Sequence, residues 1–219
     1  MMKKDLKEEI VSRQRRTRKY RKNVNEPSVC GVGIIGEGKF DPKKDIEIYK
    51  RWVSMLMRCY SAKFKEAHPT YQDAVCDPKF HSFQFFAQWW EDNYYSVEGE
   101  RMELDKDIKI KGNKTYGPRT CLIVPKSINT LFVKRDARRG ELPIGLRFDP
   151  SSKKNPYMAK CCNEGKQIYL GNYSNPEDAF DAYKSYKENL IKKIAKQYKN
   201  IISEDLYQAM VAYEVEITD

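Results

Sequence analysis

The chain has 219 residues, of which 40% are hydrophobic, so it can bury the core of one large or two small domains, and general disorder is excluded. Its 41 Lys and Arg outnumber 31 Asp and Glu, and the formal net charge of +10 favours a polyanionic partner. No apolar run approaches the roughly 20 residues that cross a bilayer, so we expect no membrane contact and a cytoplasmic location.

Residues 1–28 are interpreted as a basic arm. No acid interrupts the run of cations in residues 13–22, and such a run becomes ordered most readily against phosphates. A solvated tail is the alternative interpretation, since basic arms without specificity are common. The predicted phosphate contacts of the arm are Arg13, Arg15, Arg16 and Arg18.

Two helices are predicted in the following segment. Over residues 45–61, apolar side chains recur at three- and four-residue intervals and predict a helix with an apolar core face: Ile46, Tyr49, Val53, Leu56 and Tyr60. After a polar loop around His68, Ser82 can cap a second helix that carries Phe83, Phe86, Trp89 and Trp90. Aromatic side chains can stack on bases, but a stripe at helical spacing is typical of packed core.

Residues 104–129 have short apolar stretches that alternate with charges and are broken by Gly112-Asn113 and Gly117-Pro118. This pattern predicts a short hairpin with turns, running into a helix over residues 125–132. Residues 134–140 are a basic connector that ends in glycine. A domain boundary is predicted there, with residues 29–140 forming the domain before it.

The C-terminal part of the chain predicts an α+β unit. Three strand-like runs, at 142–148, 156–162 and 167–173, are separated by turn-forming residues. Asn175 then occupies an N-cap position and Pro176 a first helical position, which predicts a long helix. Residues 141–200 are therefore expected to form a three-stranded antiparallel sheet packed on one helix. Residues 201–219 predict a short helix capped by Ser203 and an acidic tail that closes the fold or touches another subunit.

The predicted sheet offers a route to double-stranded DNA. A sheet enters the major groove when its outward side chains are long, cationic or aromatic, and a solvated polar face is the alternative. The predicted DNA-binding residues on its strands and turns are Arg147, Lys153, Lys154, Tyr157, Lys160 and Lys166.

The motifs of this unit are Gly145-Leu146-Arg147, Tyr157-Met158-Ala159-Lys160, Gly165-Lys166, Tyr169-Leu170-Gly171-Asn172-Tyr173 and Pro176-Glu177-Asp178-Ala179-Phe180-Asp181-Ala182-Tyr183. Together they resemble the plant ethylene-response-factor (AP-two) DNA-binding domain over about 58 residues. The resemblance implies a sheet that reads the major groove. That domain also occurs fused to phage and homing nucleases, which implies the host cytoplasm if the chain is phage-encoded.

The middle of the chain carries Trp52, Met55, Arg58-Cys59-Tyr60, Val75-Cys76-Asp77, Phe83, Phe86, Leu104-Asp105-Lys106-Asp107, Gly112-Asn113, Tyr116-Gly117-Pro118 and Thr120-Cys121. In this order and spacing they resemble phage-type HNH homing endonucleases over about 80 residues. The resemblance implies an HNH-like domain containing a ββα unit, with Asp105 as the metal-binding carboxylate. Hard oxygen ligands suit Mg²⁺ or Mn²⁺ as the cofactor.

The sequence departs from the HNH pattern at two positions. Lys106 stands where many of these enzymes keep the general-base His, and Thr120 stands at the position of the metal-binding Asn. Asp107, which would share a strand face with Asp105, or His81 is the candidate replacement base, and Asn113 or Asn129 the candidate replacement oxygen ligand.

A zinc site built from Cys59, Cys76, Cys121 and His81 is not expected, because these residues lack the close paired spacing of structural zinc sites. The six cysteines include no CxxC pair and predict free thiols in a reducing compartment.

The sequence therefore favours a double-stranded-DNA-binding HNH-type endonuclease that hydrolyses phosphodiester bonds or nicks. A non-catalytic DNA-binding protein or regulator derived from such a nuclease is the alternative, and an RNA-binding protein is a third interpretation. Cutting both strands often takes two active sites, so a homodimer is a further expectation.

Overall fold

The computed structural model describes residues 23–134 and 141–219, so the predicted arm contacts Arg13, Arg15, Arg16 and Arg18 lie outside the described residues. The chain divides into two compact units. Unit 1 comprises Met1–Asp92 with Thr115–Pro118, and unit 2 comprises Asn93–Lys114 with Arg119–Asp219. The position predicted for a domain boundary, near residue 140, falls within the span of unit 2.

Within the described residues the fold is mixed α+β, with six α-helices and seven short strands. In unit 1 the helices are α1 (Ile46–Tyr60), α2 (Ala62–Ala67) and α3 (Phe83–Asn93), with 3-10 turns at Pro69–Tyr71 and Pro78–His81. Strand β1 (Val75–Cys76) pairs in parallel with β3 (Thr115–Tyr116). Helix α2 lies in the segment predicted as a polar loop, where the Ser61 side chain accepts a hydrogen bond from the Phe64 N–H and so caps the helix.

The core of unit 1 is aromatic. Trp52, Phe80 and Phe83 are fully buried, and the Trp52 indole N–H donates to the Phe80 carbonyl at 2.7 Å. This confirms that the aromatic stripe of α3 is core. The buried face predicted for α1 is correct at Leu56 but wrong at Ile46 and Tyr60, which are exposed; the buried residues are Trp52, Met55, Leu56 and Cys59. The largest side chain on the helix, Trp52, turns the buried face by roughly 80° from the predicted one.

Unit 2 begins with an antiparallel strand pair followed by a helix. Strand β2 (Met102–Asp105) pairs with β4 (Leu122–Pro125), and Asp105 lies opposite Leu122. Helix α4 (Lys126–Leu131) follows directly, as predicted. The two strands pair as a hairpin does, but the predicted short connection is wrong. Residues 106–121 separate the strands, and Thr115–Tyr116 within this connection pairs with β1.

The predicted three-stranded sheet is confirmed. Strands β5 (Leu146–Phe148), β6 (Tyr157–Asn163) and β7 (Lys166–Tyr173) are antiparallel in the order β5-β6-β7, with a bulge between Ala159 and Lys160. Glu164 and Gly165 join β6 to β7 with φ of +48° and +77°, the left-handed backbone of a two-residue hairpin turn.

The predicted long helix is α5 (Pro176–Tyr198), and the Asn175 side chain caps it by accepting from the Asp178 N–H at 2.8 Å. The first half of α5 packs on the sheet through Ala179, Phe180 and Tyr183. Helix α6 is Glu204–Val211. The second half of α5 packs through Ile191 and Ala195 on a separate hydrophobic cluster. Other residues of this cluster come from the β2–β4 segment, α4 and α6: Ile108, Leu122, Val124, Ile128, Leu206 and Met210. One helix therefore belongs to both cores of unit 2.

The acidic segment after α6 closes unit 2. Asp219 is 4% exposed, and its carboxylate accepts from the ammonium groups of Lys111 at 2.9 Å and Lys134 at 2.6 Å. Burial opposes ionisation of Asp219, but the Glu216 N–H and the two lysines outweigh it, so the pKa of Asp219 lies below its usual value.

The cysteines of this structure are all free thiols, and four of the six are buried: Cys59, Cys76, Cys121 and Cys161. In the part of the chain that the structure describes, no helix combines the length and the apolar character that a membrane crossing requires.

Candidate functional site

Asp105 is the last residue of β2 and begins a tight turn. Its Oδ1 accepts hydrogen bonds from the backbone N–H groups of Asp107 at 2.8 Å and Ile108 at 2.7 Å. The chain therefore leaves the extended path at Asp105. The expectation that Asp105 and Asp107 share one face of a strand is wrong, because the carboxylate of Asp105 folds the next residues around itself.

The environment of Asp105 disfavours its charged form. Burial raises the pKa of the Asp105 carboxyl and the nearby charge of Asp107 adds to the rise, while the two N–H donors and Lys106 oppose it. The net pKa of Asp105 is raised, so the ionised carboxylate is less stable in the folded protein than it would be in water. Carboxyls whose pKa is shifted by burial and by a nearby charge are concentrated at functional sites.

Lys106 is buried and neutralised by its neighbour. It is 6% exposed, and its ammonium donates to Asp107 Oδ1 at 2.6 Å and to the Asn113 carbonyl at 3.0 Å. The Asn113 side-chain amide returns a bond of 2.7 Å to the Lys106 carbonyl. Contacts among these three residues hold the loop after β2 in place. The Asp107 carboxylate, a candidate base, is therefore engaged in an ion pair with Lys106.

The two remaining candidate ligands of unit 2 lie on either side of β4. Thr120 lies two residues before β4, and Asn129 lies on α4, which follows it; both are half-buried. Across residues 23–134 and 141–219, no three His, Cys, Asp or Glu side chains are grouped to hold a metal ion.

His81 belongs to unit 1, whereas Asp105, Thr120 and Asn129 belong to unit 2. Its Nε2 lies 2.7 Å from the Tyr60 hydroxyl, and the two rings meet edge to face at 5.5 Å. Burial raises the pKa of Tyr60 to about 12, so the phenol stays protonated at neutral pH. This pair was not predicted from the sequence, because the helical spacing assigned Tyr60 to the packed face of α1.

The outer face of the β5–β6–β7 sheet carries cations. Opposite residues of antiparallel strands share a face, so Arg147, Met158 and Asn172 form one row, and Lys160 with Tyr169 forms the next. Lys153, Lys154 and Lys166 are exposed at the ends of the strands. Within the described residues, none of the five cations Arg147, Lys153, Lys154, Lys160 and Lys166 forms an ion pair.

Two aromatic residues of the sheet differ from expectation. Tyr157 packs with the helix-side cluster, and its ring meets Phe148 edge to face at 5.6 Å. Tyr169 is 58% exposed on the outer face, opposite Lys160. The bulge before Lys160 sets this pairing, so strand alternation in the sequence did not identify Tyr169.

Asn172, in the row of Arg147, has an unusual acceptor. Its Oδ1 is buried and has no hydrogen-bond partner within the part of the chain that is described. Buried polar atoms are almost always paired, so this oxygen marks a place on the sheet where a donor from water or a bound molecule would be stabilising.

Comparison of the chain with family models, curated proteins and solved structures finds no match. The function is therefore argued from the two sites described above.

Proposed function

We propose that this protein binds double-stranded DNA through the outer face of the β5–β6–β7 sheet. The observation that carries the proposal is the set of cations on and around that face; the charge of Asp149 acts on Arg147 and Lys160, but no ion pair holds any of the five cations within the described residues. Arg147 and Lys160 stand on adjacent strands beside the exposed Tyr169, and the flanking turns add Lys153, Lys154 and Lys166. The major groove is about 12 Å wide and admits a ribbon of strands with long cationic side chains.

We further propose that the β2–β4–α4 segment is an HNH-type nuclease site that hydrolyses or nicks DNA with Mg²⁺ or Mn²⁺. The supporting observations are the β2–β4–α4 order and the half-buried Asp105 carboxyl, whose pKa is raised. The proposal takes Asp105 as the carboxylate ligand, whose Oδ2 takes no hydrogen bond among the described residues, and assigns Thr120 and Asn129 of the same unit as neutral oxygen ligands.

A bound divalent cation would stabilise charge on the scissile phosphate and the leaving oxygen. Asp105 would hold the cation, and its two N–H donors would keep the carboxylate oriented. The Lys106–Asp107–Asn113 contacts would keep the loop after β2 in place around it. The proposal assigns no proton transfer to His81, which belongs to unit 1.

Plasmid nicking tests the nuclease proposal. Wild type with Mn²⁺ should convert supercoiled plasmid to nicked or linear product, and Asp105→Asn should abolish the conversion. Asp181→Asn, a change of the same kind at an exposed position on α5, is the control and should keep full activity. The proposal is contradicted if wild type forms no product across metals and sequences, or if Asp105→Asn cuts as well as wild type.

The ion pair between the buried Lys106 and the exposed Asp107 favours a second candidate, a non-catalytic DNA-binding protein. In many HNH enzymes, which the segment resembles, the position of Lys106 holds the general-base His, whereas Lys106 donates to Asp107 and to the Asn113 carbonyl. This candidate predicts DNA binding that needs no metal. Calorimetric titration with Mn²⁺ separates the two, since stoichiometric binding that is lost in Asp105→Asn excludes the second candidate.

Duplex binding is measured by fluorescence anisotropy over a range of salt. The double variant Arg147→Ala/Lys160→Ala should weaken binding about tenfold or more and lower the slope of log K against log salt by about 1 to 2, because each phosphate contact contributes about 0.9. Lys43→Ala/Lys44→Ala, at exposed lysines of unit 1, is the matched control. Equal losses in both variants, or stronger competition by duplex RNA than by duplex DNA, would contradict the proposal.

A further inference from the structure

The second half of α5 carries a concentrated positive charge, here named the basic stripe: Lys192, Lys193, Lys196 and Lys199. Residues 189–203 contain no acid. At 100° per residue, Lys192, Lys196 and Lys199 fall within an arc of about 60°. Lys193, Lys196 and Lys199 are exposed and Lys192 is half-buried, so the stripe lies along the solvent-facing side of the helix.

The basic stripe differs from four other lysines of unit 2. Those four form ion pairs with acids: Lys106–Asp107, Lys109–Asp205, Lys111–Asp219 and Lys134–Asp219. No stripe lysine forms an ion pair within the described residues. Glu188, one turn before Lys192, already accepts from Lys184 at 2.7 Å and from the Val215 N–H at 2.9 Å.

The residues around the stripe favour a DNA duplex as its partner over a membrane surface or a single strand. A membrane-surface helix needs its apolar face free, and the apolar face of α5 is in the core. Single-stranded nucleic acid is bound by exposed aromatic platforms, whereas Tyr198 packs on the core and Tyr207 lies under the Lys199 ammonium at 5.4 Å. Lys192 and Lys199 are about 10 Å apart along the helix, a length over which a DNA duplex carries about six phosphate charges.

The stripe and the outer face of the sheet point away from each other. Helix α5 packs on the inner face of the sheet through Ala179, Phe180, Tyr183 and Leu190, which at 100° per residue lie roughly opposite the stripe around the helix. One straight duplex on the outer face of the sheet therefore cannot reach the stripe. We propose that the basic stripe is a second duplex-binding surface, through which one molecule holds two DNA segments at once. This inference rests on the proposed binding of DNA by the sheet.

A purely structural role for these lysines makes a different prediction. Cations stabilise a helix near its C-terminus through the helix dipole, and the effect is confined to the last turn, which holds Lys196 but neither Lys192 nor Lys193. A structural role would change the melting temperature and leave the number of bound duplexes unchanged.

A bridging assay tests the proposal. Beads that carry a biotinylated duplex are saturated with protein and then offered a second, fluorescent duplex. Wild type should capture the second duplex. The variant with Gln at Lys192, Lys193, Lys196 and Lys199 should still bind the beads but capture at least tenfold less fluorescent duplex. The control removes the same charge from exposed lysines and should bridge like wild type: Lys43, Lys44, Lys63 and Lys114, each replaced by Gln.

A variant with Arg at the four stripe positions retains the charge and should bridge, which separates loss of charge from loss of folding. The second surface is disproved if wild type binds the bead duplex but captures no second duplex. It is also disproved if the Gln variant bridges as well as wild type. Analytical ultracentrifugation then shows whether a protein dimer, with one duplex on each molecule, is responsible for the bridging. If wild type does not bind the bead duplex at all, the proposed function fails first.

Discussion

Gly145 precedes β5 and touches the ring of Tyr183, and its replacement by Ala should be among the most destabilising single changes in unit 2. Its backbone is left-handed, with φ of +83°, and an added Cβ would lie 2.1 Å from Cδ2 of Tyr183 and 2.4 Å from Cε2. Tyr183 is 5% exposed and packs among the sheet-side core residues of α5, so its ring has little room to move.

Two costs add in Gly145→Ala. The left-handed conformation costs a residue with a Cβ roughly 1–2 kcal/mol. Displacing a packed ring from a filled core costs about 1–3 kcal/mol more. We therefore expect a loss of about 2–5 kcal/mol in the free energy of unfolding, a large part of the 5–15 kcal/mol that is typical of a domain.

The measurement is urea unfolding followed by circular dichroism at 222 nm. All three Trp residues, Trp52, Trp89 and Trp90, lie in unit 1, so far-ultraviolet dichroism rather than Trp fluorescence reports on α5. Gly165→Ala is the matched control, because Gly165 has a similar φ of +77° but nothing within 4 Å of an added Cβ. Equal losses in the two variants would refute the role assigned to the Tyr183 contact.

Three further predictions concern side chains with defined partners. The folded pKa of Asp219 is lowered, so the ionised carboxylate stabilises the fold above the unfolded pKa of about 3.9, and this stabilisation is lost as the pH falls through the folded pKa. Asp219→Asn should therefore lower the melting temperature at pH 7 and make the melting temperature depend less on pH in the acid range. The folded pKa of Asp105 is raised, so its ionised form destabilises the fold at pH 7. In the presence of a chelator, Asp105→Asn should therefore have a higher melting temperature than wild type, and a lower one would contradict this. Added Mn²⁺ should not raise the melting temperature of the variant. Gln84 accepts from the Phe40 N–H at 3.0 Å and donates to the Phe40 carbonyl at 2.8 Å, so Gln84→Glu should cost about 1–3 kcal/mol in a urea melt followed by Trp fluorescence, with the exposed Gln72→Glu near zero.

The elements that sequence predicted well depend on contacts between residues close in the chain. Asn175 and Pro176 start α5, Ser203 starts α6, and turn residues separate the strands of the sheet. An N-cap satisfies a backbone group three residues away, so the local sequence contains all the information that its formation requires.

The metal-binding role of Asp105 stays a prediction that comes from resemblance; the structure shows that Asp105 ends a strand and that its pKa is raised. The pairing of Lys106 with Asp107 and the assignment of His81 to the other unit were not predicted, because no motif specifies which acid a buried lysine meets or how distant segments group.

The amino-acid sequence by itself determined the α+β class, the three-stranded sheet with its long helix, the free cysteines and the surplus of cations. Only the tertiary structure decided which face of α1 is buried, that Tyr169 rather than Tyr157 is exposed on the sheet, and that α5 belongs to two cores. The physical reason is that burial and ion pairing depend on strand register and packing between residues far apart in the chain, whereas caps and turns depend on neighbours.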